Sequence, residues 1–179
     1  MKKILNILLL AACAVTTLSC GDDDIEIDEV WKAKNEAKIE EIKADDSYTA
    51  VDDPGSKYSV YYKPIKTGTG ERVLMTDKVK VFYKGTMIDG KVFDVRPGFD
   101  TPETDDDEPT EFSIMREGYA TYGVIEGWGI ILQQMHVGDR WDVWIPWQLA
   151  YGISGSSSIP GCSALNFEME VIAITGRGQ

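Results

Sequence analysis

The sequence predicts an α+β domain: a twisted antiparallel β-sheet wrapped around one short helix, with a second helix ahead of it in the chain. Three observations carry this prediction. Apolar residues recur with period two in several runs from Tyr58 onward, and only one later segment has helical spacing. The stretch from Glu29 to Ala44 contains neither glycine nor proline.

Glu29–Ala44 is rich in Glu, Lys and Ala, which favour helix strongly. Its apolar stripe is thin, limited to Val30, Trp31, Ile39 and Ile42, and predicts a spacer or a weakly docked helix. Asp77–Lys84 puts Val79, Val81 and Tyr83 on one face and Lys78, Lys80, Phe82 and Lys84 on the other. Arg140–Ile145 aligns Trp141, Val143 and Ile145, and Ala164–Ile174 aligns Leu165, Phe167, Met169 and Val171. Such alternation marks antiparallel strands with one buried face. Asp89-Gly90, between two apolar runs, reads as a hairpin turn. Val124–Met135 has helical spacing, with Val124, Trp128, Ile131, Leu132 and Met135 on one side. Arg96–Thr110, which carries Asp105-Asp106-Asp107-Glu108, and Gly118–Gly123 read as loops.

The 179 residues are 43% hydrophobic and 27% charged, which suits one globular domain with additions and excludes a disordered chain. A formal net charge of −12 argues against nucleic acid and against simple electrostatic adhesion to anionic lipid. The single histidine, His136, rules out a His-rich metal site, and no metal or cofactor is expected.

At the N-terminus Lys2 and Lys3 precede the apolar run Ile4–Val15, which is shorter than the ~20 residues a spanning helix needs. Small and weakly polar residues then lead to Cys20. This resembles a bacterial lipoprotein signal, in which the cysteine is acylated and begins the mature chain. Leu10-Ala11-Ala12-Cys13 is the alternative site, with a better local pattern but a very short apolar region. The expected organisation is a signal peptide over 1–19, an acidic tether and helix over 20–57, and the globular domain over 58–179. The expected location is the cell envelope, held to the outer membrane by the lipid alone, on the periplasmic face or the cell surface. Gly21-Asp22-Asp23-Asp24 reads equally as a solvated tether and as a surface-export tag. Cleavage before Cys20 would leave Cys162 as the only thiol, so no intramolecular disulfide is expected.

The motifs of the globular part fall in a specific order. Ile65-Lys66-Thr67-Gly68-Thr69-Gly70 is followed by Val79-Lys80-Val81-Phe82-Tyr83-Lys84-Gly85, then by Asp89-Gly90-Lys91-Val92-Phe93-Asp94. Val124-Ile125-Glu126-Gly127-Trp128 comes next, then Met135-His136-Val137-Gly138-Asp139-Arg140 and Leu149-Ala150-Tyr151-Gly152. Asn166-Phe167-Glu168-Met169-Glu170-Val171 closes the series. Over about Tyr58 to Ile174 this resembles the FKBP-type peptidyl-prolyl cis-trans isomerases. The resemblance implies a catalyst of rotation about Xaa-Pro bonds, acting on proline-containing polypeptides and able to take macrolide inhibitors of the tacrolimus type.

It also implies roles for particular residues. Trp128 is expected as the floor beneath the proline ring, with Tyr83, Phe93, Val124, Ile125, Ile159 and Phe167 as apolar walls. Asp94 and Tyr151 are expected at the rim, the Tyr151 hydroxyl donating to a substrate carbonyl. Asp94, Tyr151, Trp128 and Phe93 form the catalytic set. Taken singly, each has an ordinary reading: core residues for Val124, Ile125, Phe167 and Trp128, a turn cap for Asp94, a loop aromatic for Tyr151. Their co-occurrence is what selects a pocket. Thr110 or a neighbour falls where the family commonly has another pocket aromatic, which predicts one thin wall. The alternative reading is a non-catalytic peptide-binding chaperone module on the same fold.

Overall fold

The computed structural model describes residues 26–53, 55–96, 108–115 and 123–177. The expected 1–19 signal, Cys13, Cys20 and Gly21–Asp24 lie outside the described residues, as do Asp105–Asp107 and nearly all of Gly118–Gly123.

Two α-helices and seven strands occur among the described residues. Helix α1 spans Glu29–Lys43, and strands β1 Thr49–Asp52, β2 Ser59–Lys66, β3 Asp77–Met87, β4 Val92–Val95 and β5 Thr110–Ser113 follow. Helix α2 (Glu126–Leu132), β6 (Arg140–Ile145) and β7 (Leu165–Arg177) complete the chain. All strands join one antiparallel sheet in the order β1-β2-β6-β7-β3-β4, with β5 also on β3. This is the α+β architecture that the periodicities predict.

The backbone of the sheet is the β3–β7 pair, in register from Asp77↔Arg177 to Met87↔Leu165. Its register shifts at Lys78/Val79 and again at Lys80/Val81. Bulges bend a strand and increase its twist, which is what a sheet needs in order to curl around a helix. On the concave side Val79, Val81, Val143, Ile145, Met169 and Val171 are fully buried and Tyr83, Trp141 and Phe167 nearly so. Ile131, Leu132 and Met135 meet them from the helix side.

Helix α2 is shorter than the spacing of Val124–Met135 predicts. Val124 and Ile125 precede it, Ile125 as the N-cap with φ −57° and ψ 148°, and the chain leaves it through turns in which Gln134 N–H donates to Ile131 O and Met135 N–H to Leu132 O. Periodicity alone does not see this, because Val124, Ile125 and Met135 remain apolar and inward-facing outside the helix. Gly127 sets how close α2 lies to the sheet. A Cβ there would meet Ile145 Cγ2 at 2.4 Å.

Strand β1 is an element the sequence did not announce. It pairs with β2 from Thr49↔Tyr62 to Asp52↔Ser59. Helix α1 is capped by the Asp28 carboxylate, which accepts from Trp31 N–H at 2.9 Å. It is docked rather than free. Ile42 joins Tyr61 and Trp144 in a small second core, with Ile39 and Tyr48 against it, and Trp31 packs on the main core. Val30, the fourth member of the thin stripe, is 67% exposed.

The close approach at Gly127 gives a direct test. Gly127→Ala is expected to lower stability by about 1–3 kcal/mol, because the new methyl overlaps a β-branched core side chain that cannot swing away. Gly176→Ala, whose methyl would meet only Lys78 side-chain atoms at 3.6 Å or beyond, should stay within about 0.5 kcal/mol of wild type. Urea unfolding of both variants decides it, and equal midpoints would refute the close-packing account.

Candidate active site

One cavity of about 330 Å³ opens between the concave face of the sheet and the N-terminal end of α2. It is lined by Tyr83, Phe93, Asp94, Phe112, Gly123, Val124, Ile125, Trp128, Tyr151 and Phe167. Its walls come from distant parts of the chain. Strand β3 supplies Tyr83, β4 supplies Phe93 and Asp94, and β7 supplies Phe167, because these strands are neighbours in the sheet.

Trp128 lies at the centre. Its ring is met edge-on by Tyr83 (centroids 5.1 Å), Phe112 (5.1 Å) and Phe167 (5.2 Å), with interplanar angles of 88°, 70° and 81°. Edge-to-face pairs place a ring's positive edge on its neighbour's negative face, which fixes orientation as well as filling space. Phe93 stands edge-on to Phe167 in turn, at 5.6 Å. Gly85 makes room for this second pair. A Cβ there would meet Phe93 Cζ at 2.5 Å and Phe167 Cε1 at 2.9 Å, so any side chain on that residue would push the two walls apart. Trp128 Nε1–H is buried and has no hydrogen-bond partner among the described residues. A buried donor left unpaired costs about 1–3 kcal/mol.

The polar groups lie at one side of the mouth. Tyr83 donates its hydroxyl to Asp94 Oδ2 at 2.6 Å. Tyr83 is therefore more than an apolar wall: it holds the carboxylate that β4 brings to the rim. The Tyr151 side chain lines the same cavity, and the residue is 38% exposed. Burial pushes the Tyr83 phenol well above the ordinary value of ~10, with the Asp94 carboxylate adding to the shift. Burial, then Asp94, raises Tyr151 as well. Both hydroxyls thus stay protonated, as donors, across the physiological range.

The residues named from sequence divide as follows. Tyr83, Phe93, Asp94, Val124, Ile125, Trp128, Tyr151 and Phe167 share the cavity. Ile159 does not line it; at 8% exposure it belongs to the hydrophobic core, which it joins from the loop between β6 and β7. Phe112 was missed, and with it the expectation of a thin wall fails. The wall near Thr110 is filled two residues later by Phe112, in contact with both Tyr83 and Trp128. The alternation Thr110-Glu111-Phe112-Ser113-Ile114 after the acidic run was the available signal for a short strand.

A sequence profile described as FKBP-type peptidyl-prolyl cis-trans isomerase matches residues 70–172. The chain belongs to the FKBP-type peptidyl-prolyl cis-trans isomerase family. Within it, the chain is 34% identical over 157 residues to the FKBP-type peptidyl-prolyl cis-trans isomerase FkpA of Aeromonas hydrophila, covering 84% of this chain and 53% of that one. It is 40% identical over 91 residues to the outer membrane protein MIP of Legionella longbeachae, covering 51% of this chain and 33% of that one. The crystal structure of a peptidyl-prolyl cis-trans isomerase from Pseudomonas syringae pv. tomato superposes with a TM-score of 0.66 at 27% identity, over 83% of this chain and 96% of that one. The chain spans about half the length of the curated relatives it matches. The FKBP-type fold therefore accounts for the sheet, for α2 and for the cavity between them.

The raised phenols carry a pH signature. In the folded protein Tyr83 keeps its proton at pH values where an unfolded tyrosine has lost it, so its contribution is complete below pH ~10 and declines as the pH rises beyond that. Stability should fall as the pH rises above about 10 in wild type, and Tyr83→Phe should show a shallower fall over the same range. Identical slopes of urea midpoint against pH would show that Tyr83 is not held in its protonated, hydrogen-bonded state.

Proposed function

We propose that the protein is a peptidyl-prolyl cis-trans isomerase that accelerates rotation about Xaa-Pro bonds in exported or envelope polypeptides. The observation that carries this reading is an open aromatic cavity floored by Trp128, with protonated donors and one carboxylate confined to its rim. Rotation about the bond breaks amide resonance against a barrier of ~18–20 kcal/mol. A planar amide has a larger dipole than a twisted one, so water stabilises the ground state more, and an apolar cavity removes that advantage. The catalyst need only favour the twisted form. A thousandfold acceleration corresponds to about 4 kcal/mol, within reach of shape complementarity and one or two hydrogen bonds that tighten in the transition state.

In this reading the proline ring rests on Trp128, between Phe93, Val124, Ile125 and Phe167, and Tyr151 donates to a substrate carbonyl. Tyr83 and Asp94 form a fixed polar corner beside the reacting bond. Phe112 completes the wall. A macrolide of the tacrolimus type would occupy the same apolar volume. The isomerase domain comprises 58–179, and 20–57 joins it to an envelope anchor formed by acylation of Cys20, a reading that the lipoprotein-like N-terminus supports.

Tyr151→Phe should lose one net hydrogen bond, about 0.5–1.5 kcal/mol, and lower isomerase efficiency by about two- to twelvefold. Trp128→Ala should cost more activity and some stability, whereas Trp128→Phe should keep the fold and part of the rate. Cis-to-trans exchange of an Xaa-Pro peptide, followed by NMR, measures all three, with circular dichroism as a check on folding. Folded wild-type protein that gives no acceleration would leave a peptide-binding module in place of an enzyme. Mass spectrometry of the mature N-terminus tests the anchor: a diacylglyceryl-modified Cys20 is expected, and an unmodified terminus or one beginning at Cys13 would overturn it.

A further inference from the structure

The loop from Tyr151 to Ser163 carries the rim tyrosine at its start and folds back on itself. Cys162 N–H donates to Gly152 O at 2.9 Å, which ties the two ends of the loop together. Inside it Ser156 and Ile159 exchange backbone hydrogen bonds at 2.9 and 2.7 Å. At the closing point the backbone is strained: Cys162 has φ +59°, a left-handed conformation that non-glycine residues adopt at a cost. A residue held that way needs neighbours that over-determine its position.

Those neighbours come from α1. Asn35 is fully buried, and its Oδ1 accepts from Ala164 N–H at 2.8 Å while its Nδ2 donates to Trp31 O at 2.8 Å. The Trp31 indole N–H donates to Ser163 Oγ at 2.9 Å, and that hydroxyl donates to Pro160 O at 2.6 Å. The two residues that follow Cys162 are thus both bonded to the helix. Ser163 and Ala164 are nearly or fully buried, so these bonds are shielded from competing water. An apolar stripe alone would let α1 slide or rotate on the sheet. Two side chains that each satisfy a specific partner fix its register.

We propose that α1 is a positioning element of the isomerase site, in which Trp31 and Asn35 clamp the base of the 151–163 loop and thereby hold Tyr151 at the rim. The inference rests on the isomerase reading for its effect on rate, but not for its effect on the loop. Among the described residues, the hydrogen bonds of Trp31 and Asn35 go to no cavity-lining residue. They act through Ser163 and Ala164, then through the Cys162–Gly152 bond to the residue next to Tyr151.

Two variants test the clamp. Trp31→Phe removes the indole N–H donor and keeps an aromatic ring, though a smaller one, on the core. Asn35→Ala removes the acceptor for Ala164 N–H. Each should lower isomerase efficiency by about two- to tenfold, the scale of one lost hydrogen bond. The loss should appear in kcat, with KM little changed, because the proline-binding walls are untouched. Amide exchange across 152–162 should accelerate by about tenfold in both, and the Tyr151 ring resonances should shift. Ile42→Val, at the other end of α1, should leave rate, exchange in the loop and Tyr151 resonances unchanged. The measurements are made on the full chain at a temperature where every variant is fully folded. Should Asn35→Ala fail to fold, Trp31→Phe carries the test alone. Unchanged loop exchange and unchanged Tyr151 resonances would overturn the clamp, whatever the activity. A loosened loop with full activity would overturn its role in positioning. A loosened loop in a protein whose wild type is inactive would keep the clamp and remove the isomerase reading instead.

Discussion

The confinement of Trp128 is the constraint on which the rest of the molecule depends. Three rings meet it edge-on, from β3, β5 and β7, and the helix that carries it lies against β6 through a glycine. A flat sheet could not supply these contacts together, so the register shifts in the β3–β7 pair and the curl they produce are part of the same solution. The helix must also be short. At Glu126–Leu132 it presents Trp128 in its first turn, and Val124 and Ile125 are left ahead of it to serve as walls. A longer helix would bury them in its own stripe and close the cavity that the Trp128 ring floors.

The polar groups follow a different logic. The cavity's strongly polar side chains converge at one corner, and the Tyr83–Asp94 bond spans β3 and β4 close to where their register shifts between Gly85 and Thr86. A bulge there re-aims β4, so that Phe93 turns onto Phe167 while Asp94 reaches the Tyr83 hydroxyl. One local irregularity thus serves both the apolar wall and the polar corner. Keeping the donors protonated suits a reaction with no proton to move, since a hydroxyl that stays neutral can orient a carbonyl without introducing charge into the cavity.

The strands were legible because each has one buried face, and period two records burial directly. Eight of the nine pocket positions named from the family resemblance come together, and seven of them sit on strands or at the start of α2, where register fixes direction; Tyr151 is the exception, in a loop. The failures are physical too. Ile159 lies in a loop, and sequence does not say which way a loop residue points. Phe112 sits on a strand of only four residues beyond a long acidic stretch, too short for alternation to stand out. The overlong helix arose because inward-facing apolar residues continue past both ends of α2, outside the helix.

Helix α1 shows where reading by hydrophobicity stops working. Its apolar stripe is thin, and one of the four residues counted in it, Val30, faces solvent. The residue most deeply buried on it is Asn35, which any apolar scale counts as surface. Buried amides are tolerated only where both their donor and their acceptor are satisfied, and Asn35 is bonded on one side to its own helix and on the other to the start of β7. Such a contact adds little net affinity, since each hydrogen bond replaces one made to water. It adds direction. An apolar contact of the same area would hold the helix to the sheet in many neighbouring registers, whereas Asn35 and Trp31 together accept only one. The helix is therefore fixed specifically in position, and that position lies at the base of the loop that begins with Tyr151.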